Sequence, residues 1–282
     1  MFRLLSIEFQ KIFKNRASKI LVILYFALLF LLFLISNIEF DLGPIHVNIA
    51  DQGIFNFPFI WHFNTYVADY FKIFLAVVIV SMMANEYTYG TLKQNLIDGF
   101  TKKEVILSKF LTIVTISFLS TLFVFVITLL LGLRFSSYDE PSIIFSQLEY
   151  LVGYFVKLVA YFSFCLFLSV LIKRSAFALG FLIFWSIFEF FSHGILKYVI
   201  LKESKADETW VDKIYDFFPI EAMSNVVIEP YSRMNFIKTM GSQIGIENVK
   251  DYAVHFSSIL IVLVWTFLFI FLSYTLLKRR DL

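Results

Sequence analysis

The sequence is short of the residues that build catalytic and redox sites. One cysteine, Cys165, stands in 282 residues, which excludes an internal disulfide and any cysteine-cluster metal site. Its apolar neighbours mark it as an inert buried thiol. The four histidines, His46, His62, His193 and His255, are scattered without ligand spacing, so no metal centre is expected. There is no G-x-x-x-x-G-K-[ST] phosphate loop, and the chain should not hydrolyse ATP by itself. HExxH, GxSxG and GxGxxG are missing too. Charge is scarce, at 16% of residues and a formal net of +2, and no basic stripe suggests a nucleic-acid partner.

Apolar side chains fill the gap. Hydrophobic residues make up 59% of the chain and aromatics 20%, more than a soluble domain carries. Several runs approach the roughly 20 residues that cross a bilayer as a helix. They are apolar all round, unlike the alternating strands of a membrane barrel. The expected fold is an all-α polytopic membrane protein. A basic N-terminus leads into a long apolar run with no small-residue cleavage site, which reads as an uncleaved span.

Residues 1–19 read as an amphipathic interfacial helix. Phe2, Leu5, Phe9, Ile12 and Phe13 share one face, and Arg3, Lys11, Lys14 and Arg16 fall largely elsewhere, as in a helix lying at the headgroup boundary. Residues 20–282 form the transmembrane domain, with six spans near Ile20–Ser36, Tyr66–Met83, Val105–Leu133, Gln147–Ile172, Ala176–Ile200 and Tyr252–Leu277. Before the second span, aromatics occupy every second position from Phe55 to Phe63. That alternation suits an extended interfacial segment, with Pro58 opposing a helix through it. An external segment, 201–250, separates spans five and six. Its apolar stretch Phe217–Ile228 suggests short helices or a re-entrant element. The basic segments are the N-terminus, loop 86–109, Lys173-Arg174 and the C-terminal Lys278-Arg279-Arg280. Six spans put all four on one side, so both termini are expected in the cytoplasm.

Loop 86–109 carries the sharpest punctuation. Glu86 ends a span, Gly90 permits a sharp turn, and Thr91 is placed to cap a short helix, Leu92–Ile97. Lys93, Gln94, Asn95 and Leu96 lie within that helix. Asp98-Gly99 signals a turn, and Thr101 with Glu104 fits a capping box opening the third span. A short helix between two breaks, lying along the membrane, is suited to dock a soluble partner and pass on its motion.

A second set of residues places charge inside spans. Asp69 and Lys72 are three apart in span two, Lys157 lies in span four, and Glu189 and His193 are four apart in span five. At about 1.5 Å per residue, all reach a similar depth in the outer half of the membrane. Each charge there costs at least about 2.5 kcal/mol unless paired. An ion pair is expected, with Lys157–Glu189 the first choice. The cluster either lines a path or fixes helix register.

With these elements in order, the chain resembles the ABC-2 type permeases, the membrane subunits of bacterial ABC exporters. The resemblance rests on Glu86, Gly90-Thr91-Leu92, Thr101–Glu104 and Lys109, on the segment Phe217–Asn225, and on the ending LLKRRDL. Thr101-Lys102 departs from the family's common Ser-Arg. The resemblance implies a permease dimer in the bacterial cytoplasmic (inner) membrane, bound to ABC ATPase subunits that carry ATP and Mg. It also implies that Leu92–Ile97 is the coupling helix, assisted by the second break at Lys173 and Arg174. No residue here would be catalytic, and no cofactor would be bound by this chain. Two other classes remain open: an ion-coupled carrier or accessory subunit, and a membrane-embedded lipid-modifying enzyme using Glu189 and His193. The sequence names no substrate.

Overall fold

The structure is a computed structural model. It describes the backbone of residues 2–35, 39–42, 45–48, 53–204, 209–234 and 250–280, and the side chains of 4–31, 53–200, 210–234 and 250–280. The chain is built almost entirely of helices. A short helix, α1 (Phe2–Lys14), turns at Asn15 into α2 (Arg16–Ile35). The Asn15 side chain accepts the Ser18 N–H at 3.2 Å, capping α2. An antiparallel hairpin follows, β1 (Glu39–Leu42) with β2 (Ile45–Asn48), in register Glu39–Asn48. The first expected span, Ile20–Ser36, lies on α2, with its last residues outside the described side chains.

Where one continuous second span was expected, over Tyr66–Met83, the structure has a longer, bent pair of helices. It consists of α3 (Phe59–Asp69) and α4 (Lys72–Thr88), bent by 46°. At the break, Tyr70 and Phe71 bond three residues back, to Val67 and Ala68, the tighter 3₁₀ pattern that often marks a mid-helix hinge. The extended aromatic segment expected over Phe55–Phe63 is not seen. Pro58 stands at the N-cap and the helix starts at Phe59. Proline suits a helix start, where its missing N–H costs nothing. Phe55, Phe57 and Trp61 are buried in the bundle. Gly132 makes room for Phe57, since a Cβ there would sit 2.2 Å from the ring.

After α5 (Thr91–Ile97) come α6 (Lys102–Phe135), α7 (Pro141–Ile144), α8 (Glu149–Ile172) and α9 (Ser175–Ser204). Segment 201–250, expected to be external, contains α10 (Thr209–Tyr215), α11 (Pro219–Ser224) and a 3₁₀ turn (Tyr231–Arg233), and α12 (Phe256–Arg279) follows it. Residues 205–208 and 235–249 of that segment lie outside the described residues. Helix α8 is buried nearly all round and packs against α3, α4, α6, α9 and α12, as expected of a helix apolar on every face. Helices α9 and α12 turn most of their apolar surface outward. Four helices among the described residues are long and apolar enough to cross a membrane, or five if α3 and α4 count as one span. The chain is therefore a membrane-spanning helical protein.

Candidate functional site

Two polar assemblies interrupt the apolar bundle, one beside the short helix and one at the break in the second span.

Helix α5 spans Thr91–Ile97, one residue longer than expected. Gly90, not Thr91, is its N-cap, in the left-handed region at φ +68°, where glycine has no Cβ to strain. Gly99, at φ +98°, ends the turn on the other side. The capping box forms: the Thr101 hydroxyl accepts the Glu104 N–H at 3.2 Å, and Glu104 accepts the Thr101 N–H at 2.8 Å. Leu92 anchors α5 on α4, while Thr91, Lys93, Gln94 and Ile97 face outward and Asn95 and Leu96 are half-buried. Ile97 is 69% exposed and the preceding Tyr89 is 74% exposed.

Under this helix lies a charge network that the sequence did not announce. Glu86 and Lys109 are buried, at 2% and 0% exposure. The Lys109 ammonium donates to Glu86 at 2.6 Å and to Glu8 at 2.5 Å. Lys11 donates to the same Glu86 oxygen at 2.6 Å and to Glu8 at 3.0 Å. Two acids and two bases thus join α1, α4 and α6 with no net charge, the condition under which buried ions are tolerated. Burial opposes the charge on Lys11, but Glu86 and Glu8 more than offset it and raise its pKa. Lys11 therefore turns inward instead of reaching headgroups as expected. Glu86, expected among the partner-binding residues, is buried instead. Its Oε2 has no partner among the described residues, and it borders a cavity of about 290 Å³ between α1 and the α4–α5 junction.

The second break is tied to the same end of the bundle. Lys173 takes a left-handed conformation, φ +64°, ending α8, with its ammonium 5.7 Å from the Tyr87 ring. Arg174 follows, and α9 begins at Ser175. Arg280 donates to the terminal carbonyls of α8 at Val170 and, at 2.9 Å, Leu171, and lies 3.4 Å from the Tyr87 hydroxyl. Lys102 in turn donates to the Arg280 carbonyl at 2.8 Å. Cations at helix C-termini satisfy the last carbonyls and oppose the negative end of the dipole. Arg280 and Lys102, which belong to two of the basic segments, tie three helix ends together.

The intramembrane cluster divides in two. Asp69, Lys72 and Lys157 meet: both lysines approach the same carboxylate oxygen, Lys72 at 2.7 Å and Lys157 at 3.0 Å. The expected Lys157–Glu189 pair does not form. Glu189 instead accepts the backbone N–H groups of Ile220 and Glu221 at 3.0 and 2.9 Å, together with the Trp185 indole N–H. Those amides open α11, so Glu189 caps a helix of the external segment. His193 contacts Asp212 at 2.9 Å and stacks on Tyr215 with ring centroids 4.5 Å apart. Burial raises the pKa of the neighbouring Glu221, with Asp216 and Asp212 adding to the rise and His193 opposing it.

Asp69, Lys72 and Lys157 line a cavity of about 460 Å³ at the α3–α4 break, walled by Tyr66, Tyr161 and residues 224–229. The rim is fixed by His62. Arg233 donates to its Nδ1 at 3.0 Å, which leaves Nε2 to donate to the Ile228 carbonyl at 2.7 Å. The His62 ring also stacks on Tyr150 at 4.3 Å.

Among known proteins, the model of one family, described as a protein of unknown function (DUF2705), matches residues 24–282. No curated protein matches the chain.

Proposed function

The chain belongs to the DUF2705 family, whose description assigns no function, and from the form of the loop that carries α5 we propose that it is the permease subunit of an ATP-driven ABC exporter. In this reading α2 is the first of six spans, both termini face the cytoplasm, and the protein is a dimer in the bacterial inner membrane. A separate ATPase supplies the hydrolysis.

The observation that carries this reading is the mounting of α5. The helix is bracketed by left-handed glycines, exposes Lys93, Gln94 and Ile97, and rests on the buried Glu8–Lys11–Glu86–Lys109 network. In this reading a force on α5 passes into α4 and, through the ion pairs of Glu86, on to α1 and α6, because close-packed interiors transmit strain. The Arg280–Tyr87 and Lys173–Tyr87 contacts extend that unit to the break at Lys173-Arg174. Mild-detergent isolation of the tagged chain from its own membranes tests the reading. A P-loop ATPase should accompany it and be lost when residues 91–97 become a Gly/Ser linker. A folded chain isolated alone, under conditions that preserve a known ABC complex, contradicts it.

One observation favours the ion-coupled carrier as a second reading: the second span is broken between Asp69 and Lys72. Discontinuous helices with charged ends are the usual ion and substrate sites of such carriers. Transport that follows an ion gradient and ignores ATP would select it.

A further inference from the structure

We propose that the cavity at the α3–α4 break is a binding site for an anionic group, a phosphate or a carboxylate held by Lys72 and Lys157. The inference stands on the cavity and is independent of what drives the protein.

Three observations carry it. First, the local charge does not close. Two ammonium groups face one carboxylate, Asp69, and Lys157 is only 3% exposed. The other acid lining the cavity, Glu229, is already neutralised by Lys250 at 2.6 Å. Among the described residues one positive charge is thus left in a largely buried setting, where unpaired charge is costly. Lys72 over the Tyr161 ring, at 4.5 Å, gains a cation–π contact that offsets part of this cost but does not neutralise the charge.

Second, hydrogen bonding is incomplete on both sides. Each ammonium has three donors, and among the described residues each gives one to Asp69 Oδ2. Asp69 Oδ1 is buried with no donor among the described residues. The carboxylate meets both lysines through one oxygen, Oδ2. An incoming phosphate or carboxylate takes the N–H groups that Asp69 leaves unused, and such charge-assisted bonds are the strong ones.

Third, there is room. About 460 Å³ falls within the range of small-molecule sites, and the Tyr66, Tyr161, Ile73 and Val227 walls suit an organic body behind the charged head.

The full-length chain, purified in dodecyl maltoside without nucleotide, is titrated with inorganic phosphate, with dodecyl phosphate and with dodecyltrimethylammonium. Binding is read by calorimetry and by melting temperature. Saturable binding of dodecyl phosphate is expected, and none of the cationic amphiphile. If inorganic phosphate binds as well, the ligand is water-borne; if only dodecyl phosphate binds, it is membrane-borne. Lys72→Gln should weaken the anion about tenfold and Asp69→Asn should tighten it about tenfold, each factor equal to about 1.4 kcal/mol. If Lys72→Gln fails to fold, the Asp69→Asn arm decides alone. Absence of saturable binding, equal binding of the cation, or unchanged affinity in Asp69→Asn overturns the proposal and leaves the three charges as a device that fixes helix register.

Discussion

Glu86, in the last turn of α4, and Lys109, in the second turn of α6, form a buried ion pair 2.6 Å long across the two helices that α5 connects. The pair closes the base of the loop that carries the exposed helix, and Glu8 and Lys11 bring α1 into the same network. Removing one member leaves an uncompensated charge, which is more damaging than losing the whole pair.

Lys109→Met is accordingly expected to destabilise the protein by about 3–5 kcal/mol, because Glu86 and Glu8 then share only Lys11. The double variant Lys109→Met/Glu86→Gln should cost less than the sum of the single changes. Unfolding by SDS titration of the purified chain checks both. Additive losses would mean that the two residues act independently, against the geometry.

The Glu189 cap makes a separate prediction. Glu189→Leu leaves the Ile220 and Glu221 amides without their acceptor, at about 1–3 kcal/mol for each buried group. Helix α11 should then open more often. Ala222 is buried at 3% exposure on that helix, and the native Cys165 is buried as well. Maleimide labelling of Ala222→Cys should rise several-fold when Glu189→Leu is added, while Glu189→Gln, which keeps one acceptor, should lie between. Equal rates in all three would show that the cap is dispensable.

The turn around Glu229 should loosen in acid. Burial by itself pushes the Glu229 carboxyl up, but Lys250 and Ser232 more than offset this and hold it below the usual range. A carboxylate depressed in the folded state stabilises above its unfolded pKa of about 4.3, and that contribution is lost as pH falls through the folded value. The Tyr231 and Ser232 amides donate to Glu229. Their hydrogen exchange, corrected for intrinsic rates, should therefore accelerate as pH drops below about 4. Lys250→Ala should move the onset to higher pH. A pH-independent protection would contradict the assignment.

The positions that punctuate the backbone were legible in the sequence, and the partners of charged groups were not. Gly90, Asp98-Gly99 and the Thr101/Glu104 box locate α5 to within one residue, because left-handed turns and caps demand particular residue types. Depth arithmetic grouped Asp69, Lys72, Lys157, Glu189 and His193, and only the first three meet; rise along a helix gives no azimuth, so Glu189 was assigned to Lys157 when it faces α11. The break at Tyr70–Phe71 carries neither glycine nor proline, and nothing local signals it. The alternating aromatics from Phe55 to Phe63 suggested an extended segment. Tertiary burial of Phe57 against Gly132 and of Trp61, whose indole donates to the Ile144 carbonyl at 2.7 Å, overrides that local pattern. Lys11 and Glu8 sit on a helix whose amphipathic pattern is dominated by its apolar face, and their inward turn depends on Glu86 and Lys109, more than seventy residues away.

The central claim is that the exposed face of α5 meets an ATPase. A photo-crosslinking amino acid at Ile97, 69% exposed, is compared in living cells with one at Val152, which is 55% exposed on the flank of α8. The account predicts an adduct with a P-loop ATPase from position 97 and none from position 152. No ATPase adduct at 97, with the labelled chain correctly inserted, would contradict it.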